Sequence, residues 1–118
     1  MFHMLAQEAH QVTFVGHARI QGRLFDLGEY PGLVLSCDPG LSVRGEVYAL
    51  TNPLETLSRL DDYEGCGPND TTPHEFERVE RDVVLDSGAI SKAWVYAYRG
   101  STANKREIVS GDYSSKTP

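Results

Sequence analysis

The chain has 118 residues, the length of one ordinary domain, so two independent cores are not expected. With 40% hydrophobic and 24% charged residues it has the composition of a globular protein, not of a disordered tail, a collagen or a membrane span. Seventeen acids against eleven Lys and Arg leave a net charge of −6, which argues against nucleic acid and anionic membrane as partners.

The first ten residues, MFHMLAQEAH, lack the basic start and long apolar run of a signal peptide. Phe2, Met4 and Leu5 stand at helix-compatible spacing and predict a short helix over 1–10. From Gln11 to Leu27, apolar residues set among polar ones predict one or two strands, with Gly16 and Gly22 marking a bend or bulge. Gly28 to Gly32 is a turn, Leu33 to Leu35 a short buried strand, Cys37 to Gly40 the next turn, and Ser42 to Leu50 an alternating strand.

The clearest helix starts at Asn52, a strong N-cap, with Pro53 at the first helical position and Glu55 placed for a capping box. Leu54, Leu57 and Leu60 form its expected buried stripe, and Gly65 is placed to end it in a left-handed conformation. After a loop over Gly67 to Pro73, Phe76 to Leu85 and Ala89 to Tyr98 read as a hairpin turning at Asp86-Ser87-Gly88. A short segment from Arg106 to Tyr113 follows, and 114–118 reads as a flexible tail. These elements predict an α+β domain spanning 1–118, a small mixed β-barrel or curved sheet with flanking helices.

Little of this carries recognisable chemistry. Cys37 and Cys66 are too few for a disulfide scaffold and are not a C-x-x-C pair, so free thiols in a reducing cytoplasm are expected. His3, His10, His17 and His74 never fall at metal-ligand spacing, and the Gly-rich phosphate loops and G-x-S-x-G are absent, so neither metal nor cofactor is predicted. A Cys66 nucleophile would need His74 from across a Pro-rich loop.

Asp61, Asp62 and Glu64 are different, because they crowd a helix C-terminus, where the macrodipole disfavours anions. Two readings stay open: a solvated acidic helix end, or a cleft in which one carboxylate has a raised pKa and moves a proton near neutrality. Glu64, directly before Gly65, is the candidate for the second. Arg78 and Arg81 are placed to pair with Asp61 and Asp62, with a substrate carboxylate, or with other surface acids.

Five blocks in order resemble the γ-glutamylcyclotransferase-like (AIG2-like) family: Ala18 to Val34 (ARIQGRLFDLGEYPGLV), Gly45 to Tyr48, Leu60 to Gly65 (LDDYEG), Ala93 to Tyr98 and Ser110 to Tyr113. The resemblance implies a small β-barrel with flanking helices and conversion of a γ-glutamyl amine or peptide to 5-oxoproline and the free amine, without a cofactor. It places the acid/base role on Glu64 and a substrate-cavity wall at Tyr30, Pro31, Gly32 and Leu33, with Tyr63 and Tyr113 as further lining. Core packing is the competing role for those aromatics.

Family members open with a strand and a Y-G-[ST]-L loop whose backbone N–H groups grip the substrate's α-carboxylate, and this sequence has no such block. MFHMLAQEAHQ resembles the helix that follows it, so the resemblance implies an upstream start or a missing strand. A missing strand would open a sheet edge and predict a homodimer through it. Two functions are therefore expected as alternatives: an active cyclotransferase, or a weakened or inactive member acting as a binding module.

Overall fold

The computed structural model describes residues 2–6, 13–28, 30–50 and 52–112. The strands are β1 (Phe2–Ala6), β2 (Thr13–Asp26), β3 (Pro31–Leu35) and β4 (Ser42–Ala49), followed by helix α1 (Pro53–Tyr63). The chain continues through β5 (Phe76–Leu85), β6 (Ile90–Tyr98) and the two-residue β7 (Arg106–Glu107). They form one mixed sheet in the order β1-β4-β2-β3-β6-β5, with β7 alongside β2.

The predicted strands fall where alternation placed them. In β4 every second residue is buried, with Val43 and Val47 fully so. The β5–β6 hairpin runs from Phe76↔Tyr98 to Val84↔Ile90 with no slip in register. Gly16 sits at a bulge, since the β2–β4 pairing steps from Phe14↔Tyr48 to Gly16↔Val47 and leaves Val15 extra. The inner faces meet in an apolar core that includes Ala18, Leu24, Leu33, Val43, Val83 and Val95.

The sheet curls strongly without closing. β6 meets β1 only at Leu5↔Trp94 and β3 only at Leu33↔Ala97, and β5 meets β2 at two pairs, Ala18↔Leu85 and Arg19↔Val84. The architecture is thus the curved sheet of the two expected forms, not a closed barrel. One α-helix, α1, packs on it among the described residues, where a second short one was expected over 1–10.

The largest departure is at the start of the chain. Phe2–Ala6 is a strand, not a helix, and pairs in parallel with β4 from Phe2↔Gly45 to Ala6↔Ala49. Phe2, Met4 and Ala6 fit a period of two as well as a helix, and an isolated helix this short is marginal. The row of unpaired backbone groups along β4 offers five residues a ladder instead. β1 fills the place along β4 that a missing strand would have left open. Residues 7–10 of the predicted helix and the 114–118 tail lie outside the described residues.

α1 connects β4 to β5 and packs through Leu57 on a second, smaller cluster with Leu50, Tyr48, Leu60, Trp94 and Tyr96. Its N-terminus is simpler than expected. Asn52 makes no side-chain cap, and Glu55 is held by Arg59 at 2.6 Å in an i,i+4 pair, so no capping box forms. Leu54 is 88% exposed and does not belong to the buried stripe.

Candidate functional site

The inward stripe of α1 follows the helical period instead of the leucines. Pro53, Thr56, Leu57, Leu60, Asp61 and Glu64 are buried or half-buried, while Leu54, Asp62 and Tyr63 are exposed. Asp61 and Glu64, at i+4 and i+7 from Leu57, therefore share the face that covers the sheet. Steps of three from Leu57 lead backward to Leu54, which the 3.6-residue turn swings out to solvent.

Gly65 ends the helix as predicted, at φ +73°. The Gly65 N–H donates to the Asp62 carbonyl at 3.2 Å and the Cys66 N–H to the Asp61 carbonyl at 2.9 Å, the paired bonds of a Schellman motif. The Glu64 N–H still donates to Leu60, at 2.8 Å, so the Glu64 backbone is fixed on both sides. Its carboxylate accepts no hydrogen bond among the described residues. Burial raises its pKa from the ordinary carboxylate value, and no neighbouring cation offsets the shift.

Asp61, one turn back, is engaged through one carboxylate oxygen. Its Oδ1 accepts from Arg78 Nε at 2.8 Å and from the Tyr96 hydroxyl at 2.7 Å, with the Cys66 thiol at 3.9 Å. Arg78 on β5 lies opposite Tyr96 on β6, and Trp94, two residues from Tyr96, shares its face. The guanidinium stacks on that indole, 4.5 Å from the ring centroid. Burial, then the bond to Asp61, pushes the Tyr96 hydroxyl pKa well up, so the phenol stays a donor. The Trp94 indole N–H is buried with no partner among the described residues. The acidic helix end is thus neither fully solvated nor uniform: Asp62 faces water, Asp61 is tethered, and the Glu64 carboxylate has no partner among the described residues.

Of the open pairings for the two arginines, Arg78 takes Asp61, while Arg81 donates to the backbone carbonyl of Glu80. Cys66 is not an activated nucleophile: burial first, then the Asp61 charge, raises its thiol pKa, whereas activation requires the opposite. The His74 ring meets the Asp70 carbonyl at 3.4 Å. No group of three His, Cys, Asp or Glu side chains could hold a metal ion among the described residues.

Of the remaining predicted residues, Tyr30 to Leu33 are consecutive at the start of β3. Tyr30, 47% exposed, heads an aromatic row with Phe76 at 6.0 Å and Tyr98 a further 5.5 Å on. Pro31 and Gly32 open β3, and Gly32 sits so close to the Leu27 side chain and Tyr98 Cβ that a side chain has no room. Leu33 has no exposed surface and belongs to the main core. Tyr63 is 84% exposed on the outer face of α1. Tyr113 lies outside the described residues. Asp61, Trp94 and Tyr96 were not expected as site residues. The available signal was the Leu57, Leu60, Asp61, Glu64 stripe, together with the two-residue spacing of Trp94 and Tyr96.

Comparison with known proteins gives a consistent picture. The family model described as "Gamma-glutamyl cyclotransferase, AIG2-like" matches residues 2–115. A Vibrio cholerae protein named "Putative gamma-glutamylcyclotransferase" is 31% identical over 109 residues, covering 86% of this chain and 81% of the relative. The solution structure of Escherichia coli ytfP superposes with a TM-score of 0.54 at 26% identity, covering 92% of this chain and 78% of that one. The crystal structure of Pyrococcus horikoshii PH0828 shares the fold at 24% identity and a TM-score of 0.55, covering 87% and 72%.

Proposed function

The chain belongs to the gamma-glutamyl cyclotransferase, AIG2-like family, and from that premise we propose that it cyclises a small γ-glutamyl amine or peptide to 5-oxoproline, with Glu64 moving the proton. The observation that carries this reading is the Glu64 carboxylate itself. It is half-buried, accepts no hydrogen bond among the described residues, has its pKa raised by burial, and stands on a backbone fixed by the Schellman motif.

The reaction is an intramolecular acyl transfer. The Glu64 carboxylate takes a proton from the substrate's α-ammonium group, and the freed amine attacks the γ-carbonyl carbon of the same molecule. Attack leaves two hydrogens on the ring nitrogen. As the bond from that carbon to the leaving nitrogen breaks, the protonated Glu64 gives its proton to the departing amine. It then takes the second hydrogen of the ring nitrogen, which passes to the released amine and leaves it as an ammonium ion beside the neutral lactam. One carboxyl serves every transfer, and a pKa nearer neutrality lets it act in each direction. The steps are redox-neutral and call for no cofactor. Holding the substrate folded converts the attack into a proximity effect, for which Tyr30 and the Pro31–Gly32 turn supply one wall, backed by Leu33 from the core. The unpaired Cys37 and Cys66 support a cytoplasmic setting, and no helix among the described residues is long and apolar enough to cross a membrane.

The test is 5-oxoproline release from a panel of γ-glutamyl amines and dipeptides. The wild type is expected to form product, and Glu64→Gln to lose at least about a hundredfold in rate. Equal product from the variant overturns the assignment to Glu64. No product from any substrate overturns the enzymatic reading and leaves the binding-module alternative.

A further inference from the structure

Arg78 has more bonding capacity than Asp61 uses. A guanidinium carries five N–H donors in a rigid fork, and Asp61 takes only the one on Nε, at 2.8 Å. Both terminal nitrogens lack a partner among the described residues, although the side chain is only 26% exposed. The fork is nevertheless held in place. Its flat face lies on Trp94, its Nε is bound by Asp61, and Asp61 is braced in turn by Tyr96. What remains open is the outer edge with its two parallel donors, the geometry that matches a planar carboxylate at two points.

The surroundings give that edge a purpose. Asp62 and Glu64 stand on the same helix end in a chain of net charge −6, so an anionic ligand is repelled there unless a cation receives it. Arg78 is the basic side chain that the fold brings to this end. Arg59 is spent on Glu55 and Arg81 on a backbone carbonyl. Glu64 is one helical turn from Asp61 on the same face, and the Cys66 thiol feels the charges of Asp61, Arg78 and Glu64 together.

We propose that the outer edge of Arg78, stacked on Trp94 and braced by Asp61, is a carboxylate-binding subsite at the helix end that carries Glu64. Assigning its occupant to a substrate rests on the cyclotransferase reading. Two carboxylates qualify: the α-carboxylate of the glutamyl moiety, and one carried by the leaving amine. If the second occupies the subsite, γ-glutamyl amino acids are preferred over plain γ-glutamyl amines.

Trp94 is the only tryptophan, so its emission reports directly on this subsite, with or without turnover. Wild type, Arg78→Gln and Arg78→Lys are titrated with glutarate, γ-glutamylglycine and γ-glutamylmethylamide, with uncharged N-methylacetamide as control and Arg81→Gln as a neighbouring-charge control. Saturable emission changes are expected for the carboxylates in wild type and Arg81→Gln, with affinity about tenfold or more weaker in both Arg78 variants. In turnover, KM rises for both γ-glutamyl substrates if the α-carboxylate is bound, and for γ-glutamylglycine alone if the leaving amine's carboxylate is. The proposal is overturned if no carboxylate changes the wild-type emission, or if affinity and KM are the same with and without the Arg78 fork. If the wild type releases no 5-oxoproline, the cyclotransferase reading falls and the emission titration alone decides the subsite. Arg78→Lys keeps the charge and carries the comparison if Arg78→Gln does not fold.

Discussion

The cluster between the strands, built on Leu24, Leu33, Val43, Val47 and Val95, contains no polar side chain. The smaller cluster under α1 joins Leu50 and Leu57 to an ion pair, a half-buried phenol and a buried indole N–H with no partner among the described residues. The first is the arrangement that stability favours, with apolar side chains packed together on the inner face. The second carries charge where charge is costly and leaves a carboxylate unpaired beside it, a departure expected where a structure is used and not merely held together. Stability and the proposed chemistry rest on different clusters of one small sheet, and substitutions should separate them.

The sharpest separation is at Glu64. Glu64→Gln is expected to reduce 5-oxoproline formation by about 10²- to 10⁴-fold, equivalent to about 3–5 kcal/mol of barrier. It should cost no stability. A carboxyl whose pKa is raised on folding favours the protonated folded state, so its contribution is present at low pH and lost as pH rises through the raised pKa. At neutral pH the variant should therefore melt at or above the wild-type temperature, and a large drop would mean that Glu64 is structural.

Leu24→Ala is the mirror experiment. It opens a cavity in the apolar core and should cost about 2–5 kcal/mol in denaturant unfolding, while activity per folded molecule is retained. Asp61→Ala lies between the two layers. It strands Arg78 and the Tyr96 hydroxyl at a half-buried site, for about 1–3 kcal/mol, and it frees the last turn of α1, so stability and rate should fall together. Asp61→Asn keeps an acceptor and should recover part of both. The smallest effect is expected at Leu54→Ala, within about 0.5 kcal/mol, because that leucine is exposed.

The same division explains which parts of the molecule were legible in the sequence. β4, β5 and β6 were, because alternation and a Gly-containing turn are local signals that the core face reinforces. The helix end was legible too, since Gly65 alone relieves the left-handed conformation that the Schellman bonds require. Phe2–Ala6 was not, because a stretch that fits both periods is decided by the ladder β4 offers, which lies more than forty residues away. Leu54 misled because leucine spacing was followed in place of the helical angle.

The candidate site shows the same limit. The stripe placing Asp61 beside Glu64 is local and readable, but the partners of Asp61 come from 17 and 35 residues further along the chain. They are brought there only by the register of the β5–β6 hairpin against the helix. The role of Glu64 was suggested by its family block, and its half-buried, unpaired state is a property of the fold.

The most direct test of the central claim is the pH dependence of kcat for 5-oxoproline release. If Glu64 is the base, activity should rise through a single ionisation lying above the ordinary carboxylate range, and that limb should vanish in Glu64→Gln along with most of the rate. An identical limb in both proteins would contradict it.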